Sequence, residues 1–208
     1  MNGDTHEDLV KLFQQGDAHA FELLFEHYRR PVFNFVYRML NGDREAAEDL
    51  LHEIFMKLYD AREYYEPQAK FSTWLFAIAR NHCLNCLKSR SFRQGRSTIS
   101  LESLAQGTPE RPALDRLPEL SAPDDSKRAD LRELLELAIA GLPNDYKEVF
   151  VLHAVEGLAH EEVAVILNQN PATVRTHYHR ARLWLRDEIG KQMQPGSGAS
   201  GYATRTTP

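Results

Sequence analysis

The segment HEEVAVILNQNPATVRTHYHRARLWLR, residues 160–186, predicts two short helices separated by a tight turn. Apolar residues recur at three- and four-residue steps in both halves, as expected for helices that each bury one face. Asn170 can cap the second helix, and Pro171 fits its first turn. In that helix the apolar face consists of Val174, Tyr178, Ala181 and Leu185. This pattern is typical of a helix-turn-helix, whose second helix enters the major groove of DNA.

The polar side of this second helix carries residue types that bind DNA. Arginine bonds guanine edges or neutralises phosphates, and threonine suits either role. Asp187 and Glu188 repel phosphates, so the contact surface is expected to end before them. The alternative is a basic face that is simply solvated. The candidate DNA-binding residues are Thr173, Arg175, Thr176, His177, His179, Arg180 and Arg182.

The rest of the 208-residue chain also has helical periodicity, without convincing strand alternation. It predicts an all-α protein of two small helical domains joined by an extended linker. The linker is polar and interrupted by proline and glycine, and the tail is small and polar. The expected divisions are a domain over 1–92, the linker over 93–126, a domain over 127–192 and a disordered tail over 193–208.

Helices are expected over 4–15, 17–40, 44–59, from Ser72 or Thr73 to 88–93, over 127–141 and over 144–156. Pro31 lies within the second of these segments and can kink a helix.

The composition is typical of a globular protein. Its basic residues are clustered, which allows local binding of nucleic acid. Apolar residues make up 42% and charged residues 26% of the chain. The net charge is −5, but basic residues cluster over 80–96 and 175–186. No apolar run approaches the ~20 residues that span a bilayer, and the acidic N-terminus does not resemble a secretory signal. A cytoplasmic location without membrane insertion is therefore expected.

Two cysteines, Cys83 and Cys86, lie in the motif HCLNC. They are expected to be reduced thiols on a helix. The alternative is a metal or redox site that includes His82, but no second ligand pair completes it. The sequence has no P-loop, nucleophile elbow or acidic metal cluster, so no enzyme activity, catalytic residue, cofactor or metal is expected.

Both halves of the chain resemble extracytoplasmic-function sigma factors of the sigma-70 family. The segment LPNDYKEVFVLHAVEGLAHEEVAVILNQNPATVRTHYHRARLWLRDEI resembles sigma region 4, and AAEDLLHEIFMKLY with FSTWLFAIARNHCLNCLKSR resembles region 2. The resemblance covers about residues 5–92 and 128–190. The family commonly has Gln in place of His52, and Arg or Lys in place of His177.

The resemblance implies an alternative sigma factor that binds core RNA polymerase and promoter DNA. An anti-sigma factor is a further expected partner. Helix-turn-helix residues would read the −35 element, and region 2 would read and melt the −10 element. The residues expected at the −10 strand are Tyr64, Tyr65, Arg80, Asn81, Asn85, Lys88 and Arg90. Trp74 and Phe71 are ambiguous between strand contact and core, with core favoured for Trp74.

The third expected surface binds polymerase and lies on the predicted helix over 44–59. An acidic rim around an apolar centre suits a basic partner helix. The alternative is a solvated face. The residues of this surface are Asp49, His52, Glu53 and Met56.

Three other classes of protein remain to be distinguished from a sigma factor. A helix-turn-helix repressor or activator binds its operator without polymerase. A regulator that holds sigma or polymerase has no use for a basic recognition helix. An enzyme requires a catalytic constellation, which the sequence lacks.

Overall fold

The computed structural model describes residues 3–66, 69–93 and 125–193. The described residues form eight α-helices and contain no β-strand, which confirms the expected all-α class. The predicted linker, apart from its two ends, and the predicted tail beyond Met193 lie outside the described residues. The helices are α1 (Gly3–Gln14), α2 (Ala18–Met39), α3 (Arg44–Asp60), α4 (Phe71–Arg93), α5 (Asp125–Gly141), α6 (Asn144–Phe150), α7 (His160–Leu167) and α8 (Pro171–Met193).

Helices α1 to α4 form the N-terminal domain. Asp17 and Asp43 begin α2 and α3, and each side chain accepts a hydrogen bond from a first-turn amide. The helix α2 continues through Pro31, which lies inside it. A short 3₁₀ turn, Arg62–Tyr64, lies within the segment that the sequence predicts as a loop. The core residues include Phe13, Phe35, Ile54, Leu58 and Leu75, all fully buried.

Helices α5 to α8 form the C-terminal domain. A π-helical turn, Val151–Val155, extends α6, and Gly157 then reverses the chain with a φ of +75°. Asn168 ends α7 in the left-handed conformation, with a φ of 52°. Asparagine tolerates this conformation better than most residues, so it suits the turn of the helix-turn-helix. The pair α7–α8 is therefore the predicted motif.

The two domains pack against each other, which the sequence does not predict. Helix α7 contacts α4, and α5 contacts α2. Arg38 donates to Glu136 at 2.6 Å, and Arg80 donates to Glu148 at 2.7 Å. Each of these hydrogen bonds joins a guanidinium of the N-terminal domain to a carboxylate of the C-terminal domain.

Candidate nucleic-acid and polymerase interfaces

The recognition helix α8 is held on its domain by the predicted apolar face. Val174, Ala181 and Leu185 are buried, and Tyr178 is half-buried. The Oδ1 atom of Asn170 accepts a hydrogen bond from the backbone N–H of Ala172 at 2.8 Å, which gives the helix the expected start. Since one face is anchored in this way, the opposite face is presented to solvent.

Five of the predicted DNA-binding residues lie on the exposed part of α8. Arg175 forms an ion pair with Glu161 of α7 at 2.7 Å, which directs its guanidinium along the surface of the motif. The Thr176 hydroxyl donates to the carbonyl of Ala172 at 3.0 Å. The five exposed residues are Thr173, Arg175, Thr176, His179 and Arg180.

His177 and Arg182 are placed differently from those five. The His177 ring is half-buried and lies 5.5 Å from the ring of Tyr146, and burial lowers the pKa of this histidine. The Arg182 guanidinium lies over the Tyr178 ring, 5.8 Å from its centre. Both side chains therefore contribute to packing at the edge of the helix.

The helix α4 presents a polar row to solvent. Asn81, Asn85 and Lys88 are exposed, and their spacing of four and three residues puts them on one face. Arg90 lies about 180° round the helix from Asn81, and its guanidinium donates to Asp43 at 2.9 Å. Three of the predicted strand-binding residues, Asn81, Asn85 and Lys88, thus share one face of α4.

Arg80 lies away from this row and faces the C-terminal domain. Its side chain is only 20% exposed, and that of its partner Glu148 is 6% exposed. Burial raises the pKa of Glu148, and the neighbouring Arg80 guanidinium partly offsets this effect. The sequence alone does not identify Glu148 as a partner of Arg80.

The two adjacent tyrosines of the loop before α4 have different environments. Tyr64 is 81% exposed. Tyr65 is half-buried, its ring packs 5.0 Å from that of Trp74, and its hydroxyl donates to Ala69 at 2.8 Å. Phe71 is buried, and its ring lies 5.9 Å from that of Trp74, so both belong to one aromatic cluster.

A cavity of about 580 Å³ adjoins this loop. The rings of Tyr28, Tyr65 and Phe71 contribute to its walls, together with residues of α1 such as His6 and Gln14. The Tyr28 hydroxyl lies 2.8 Å from His6 Nε2, and burial raises the pKa of Tyr28 to about 12. The tyrosine therefore stays protonated, and the cavity is a partly aromatic space whose edges also carry the charged side chains Glu7, Lys11 and Lys70.

The predicted polymerase-binding surface is a continuous exposed strip on α3. Met56 is 62% exposed, which is unusual for a large apolar side chain. His52 Nδ1 lies 2.9 Å from the carbonyl oxygen of Glu48. All four predicted residues are exposed on the face opposite the core: Asp49, His52, Glu53 and Met56.

A groove of about 390 Å³ separates this strip from the polar row of α4. Asp49 and Glu53 line one side of the groove, and Asn85, Cys86 and Arg90 line the other. The predicted polymerase-binding and DNA-binding surfaces therefore meet at this groove.

The two cysteines of the motif differ in burial. Cys83 is buried, and burial raises the pKa of its thiol to about 12. Cys86 is partly buried and also free. Within the described part of the chain, no three His, Cys, Asp or Glu side chains are grouped so that they can hold a metal ion. None of the described helices is both long and apolar enough to cross a membrane.

Known proteins share both the sequence and the fold. The family model for sigma-70 region 2 matches residues 24–93, and that for sigma-70 region 4 matches residues 132–185. The ECF RNA polymerase sigma-E factor of Haemophilus influenzae is 31% identical over 186 residues, which cover 89% of this chain and 95% of that protein. The RNA polymerase sigma-H factor of Pseudomonas aeruginosa is 31% identical over 196 residues, covering 92% and 95%.

Two solved structures have the same fold. CnrH in complex with the cytosolic domain of CnrY aligns with a TM-score of 0.61 and 19% identity, covering 88% of this chain and 96% of that one. The sigma factor RpoE in complex with the anti-sigma factor NepR from Bartonella quintana also has a TM-score of 0.61, with 21% identity and coverage of 82% and 96%. These likenesses concern the arrangement of helices.

The fold and its exposed faces define a two-domain transcription factor with one helix-turn-helix. The chain belongs to the extracytoplasmic-function sigma factors of the sigma-70 family. It is an alternative sigma factor, which associates with RNA polymerase and directs promoter-specific transcription.

Proposed function

We propose that three surfaces divide the work of this sigma factor: α8 reads the −35 element, α4 with its preceding loop reads the −10 strand, and α3 binds the polymerase. The observation that carries this division is the exposure of three separate faces rich in polar side chains, one each on α8, α4 and α3. The domain limits 1–92 and 127–192, with a connection over 93–126, are part of the proposal.

At the −35 element, α8 acts on double-stranded DNA. Arg175 and Arg180 can reach guanine edges or phosphates, and Thr176 lies between them on the same exposed side. Thr173 and His179 extend the contact along the helix. His177 and Arg182 stabilise the edge of this surface. The His177 ring packs on Tyr146, and the Arg182 guanidinium packs on Tyr178.

At the −10 element, α4 acts on a single strand. A base leaves the DNA stack only if other contacts replace the lost stacking. Aromatic rings and polar side chains of the protein can supply these contacts. Asn81 and Asn85 offer amides to base edges, while Lys88, Arg90 and Arg80 neutralise the backbone. The exposed Tyr64 can stack on an unpaired base, and Tyr65 walls the adjoining aromatic cavity.

On the polymerase side, the α3 strip provides an apolar centre with an acidic rim. Met56 can enter a shallow apolar site, and Asp49 and Glu53 match a basic partner surface. His52 extends the same face. This combination favours a basic helical element of the polymerase as the partner.

Two more elements of the proposal concern regulation and chemistry. The structurally similar RpoE was determined with an anti-sigma factor, which supports an anti-sigma partner for this chain. The chain contributes binding without chemistry or a cofactor of its own. It works in the cytoplasm, because bacterial RNA polymerase transcribes there.

Run-off transcription with core polymerase and a library of promoters tests the proposal. The full chain with core polymerase should select a set of promoters that share two spaced elements. The full chain without polymerase should select none of them. Tight, sequence-specific binding of duplex DNA by the chain alone would indicate a repressor or activator and contradict the proposal.

A further inference from the structure

The half-buried Tyr178 of α8 packs on two stacked histidines. The ring centres of His153 and His160 lie 3.8 Å apart, with an angle of 38° between the rings. The Tyr178 ring meets both of them edge to face, with its centre 4.6 Å from that of His153 and 5.6 Å from that of His160. Aromatic rings attract one another in this arrangement. This histidine pair, His153 and His160, therefore joins three elements: the π-helical turn, α7 and α8.

The position of His153 is fixed by the backbone around it. His153 lies inside the π-helical turn Val151–Val155, and its Nδ1 atom lies 2.7 Å from the carbonyl oxygen of Leu158. A carbonyl oxygen only accepts hydrogen bonds, so Nδ1–H is the donor, and the second ring nitrogen, Nε2, is the atom that takes up a further proton. Since this hydrogen bond spans Gly157, it also holds the turn that leads into α7.

Tyr178 in turn determines how α8 lies on its domain. Its ring also stacks on the Phe150 ring, with 6.2 Å between the centres, and the Arg182 guanidinium lies 5.8 Å from its centre. In the helix, Tyr178 stands two residues from both Thr176 and Arg180, which are proposed to read the −35 element. A displacement of Tyr178 therefore moves the DNA-reading side chains.

The charged side chains near the histidine pair come from α7, α8 and α4. Helix α8 contributes the cations Arg175 and Arg182. Helix α7 contributes Glu161 and Glu162, but Glu161 pairs with Arg175 at 2.7 Å, and Glu162 pairs with Lys70 of α4 at 3.1 Å. Because both carboxylates are already paired with cations, a positive charge on the histidine pair gains little from them.

These surroundings favour the neutral form of His160. Burial lowers the pKa of His160 below its ordinary value of 6.5, and His153 and Arg175 lower it further, whereas Glu161 opposes them. The stabilisation by neutral His160 is complete above pH 6.5 and is lost as pH falls through the lowered pKa. If both rings of the pair take up a proton, two cations lie 3.8 Å apart and repel each other. The contact with Tyr178 is therefore sensitive to acid.

We propose that the histidine pair positions α8 for the −35 element while it is neutral, and that its protonation in mild acid displaces Tyr178 and weakens −35 recognition. The proposal rests on the −35 role proposed for α8. His153 and His160 are positioning residues, because they act on DNA only through Tyr178. The consequence is a choice of promoters that depends on pH: promoters that rely on the −35 element lose transcription in acid.

The direction of this effect separates the pair from the histidines on the DNA side of α8. Protonation of His177 or His179 would add a cation near phosphates, which strengthens binding as pH falls. Protonation of the histidine pair has the opposite effect. A loss of −35 preference in acid therefore cannot come from His177 or His179.

The test compares one promoter with and without its −35 element. A promoter recovered by run-off transcription and a copy with a scrambled −35 element compete for the holoenzyme that contains the full chain. The competition is run at about pH 7.5 and at about pH 5.5, on either side of the histidine range. Because both promoters share one reaction, effects of pH on core polymerase cancel. The preference for the intact promoter should fall about tenfold in acid, as the correctly positioned fraction of α8 falls.

Two substitutions at His160 give opposite expectations. His160→Phe keeps a ring against Tyr178 but has no proton to gain, so its preference should change by less than about twofold with pH. His160→Lys carries a permanent charge and should have a low preference at both pH values. Val165→Lys, at a 64% exposed position of the same helix, is the matched control and should behave as the native chain. A pH response of His160→Phe equal to the native one, or full preference by His160→Lys, would overturn the proposal.

A titration of carbon-13-labelled histidines in the full chain observes the pair without DNA. His160 should titrate below pH 6.5, and its pKa should move towards 6.5 in His153→Gln, because His153 is one cause of the lowering. A native His160 that titrates at 6.5 or above would contradict the inference, whatever the promoters show. If His160 titrates as expected but the holoenzyme at neutral pH does not distinguish the two promoters, the −35 role proposed for α8 is wrong. The inference then fails with it, for a reason that the titration identifies.

Discussion

The helix α8, proposed to read duplex DNA, and the helix α4, proposed to read single-stranded DNA, differ in how accessible their arginines are. The polar face of α8 is exposed, and Arg175 is paired with Glu161 of its own domain at an exposed site. The cation Arg80 of α4 is paired at a buried site with Glu148 of the other domain. Both helices carry basic residues, so composition alone does not distinguish them.

This difference is consistent with the kind of DNA that each helix is proposed to bind. Duplex DNA is always present, so a helix that binds the duplex needs only an exposed polar face. Single-stranded DNA exists at a promoter only after the duplex has melted. A permanently exposed surface for single-stranded DNA would bind any such DNA nonspecifically. The Arg80–Glu148 pair joins α4 to the C-terminal domain, whereas the Arg175–Glu161 pair stays within that domain.

The largest expected effect comes from disrupting the proposed polymerase-binding surface on α3, because α8 and α4 both depend on polymerase to reach a promoter. The double variant Asp49→Lys and Glu53→Lys should eliminate holoenzyme formation, because it reverses the acidic rim of the α3 strip. Neither recognition helix then reaches a promoter. The measurement is co-purification with core polymerase.

Thermal unfolding provides the control for this double variant. Exposed substitutions usually change stability by less than ~0.5 kcal/mol, so the fold should persist. Wild-type yields of holoenzyme from the double variant would remove α3 from the polymerase interface.

The next effect concerns α8 alone. Arg180→Ala should cost about 1–3 kcal/mol at a promoter and relax preference at one position of the −35 element, if this residue reads a base. Arg186→Ala on the same helix, where Arg186 pairs with the adjacent Asp187, is the matched control. Promoter libraries transcribed by each holoenzyme give the measurement. Equal selection by the two variants would contradict a base-reading role.

A smaller effect is expected for α4. Arg80→Ala should weaken all promoters by a similar, several-fold factor, because a phosphate contact carries no sequence information. The salt dependence of open-complex formation should become shallower by about one ion. Arg29→Ala, an exposed position on α2, should change neither quantity. A loss confined to a few promoter sequences would instead indicate base contact by Arg80.

The smallest effect tests the contact region between the domains. Burial raises the pKa of Glu156 to about 7, although Arg38 nearby opposes the shift. A carboxyl with a raised pKa stabilises the fold below its unfolded pKa of 4.5, and this contribution is lost as pH rises through about 7.

The variant Glu156→Gln should therefore melt a few degrees above the native chain at pH 8 and at the same temperature at pH 4. Melting curves at both pH values check this sign. A native chain that is the more stable of the two at pH 8 would show that Glu156 is ionised and well paired in the folded state.

The sequence predicts the local features well. The buried face of α8, its Asn170 cap and the exposed strip of α3 all follow from helical periodicity and capping chemistry within a few turns. The bounds of some helices differ from the prediction, since α4 begins at Phe71 and α5 at Asp125. The interpretation of Trp74 as part of the core agrees with its aromatic neighbours.

Contacts between distant residues cannot be predicted in this way. Arg80 and Glu148 are 68 positions apart, and no periodic pattern tells which carboxylate meets which guanidinium. Tyr64 and Tyr65 are chemically identical in the sequence, and only the path of the loop exposes one and packs the other. For the same reason, the sequence gives no indication that His177 packs on Tyr146.

The two cysteines provide a natural means of observing the protein at work. Thiol-directed dyes react with thiolates, and a buried Cys83 whose pKa is about 12 forms almost none at neutral pH. Cys86 is more accessible, and it lies in the groove between α3 and α4. A fluorophore attached to the unaltered chain should therefore report from that groove, where polymerase and the melted strand are both proposed to arrive.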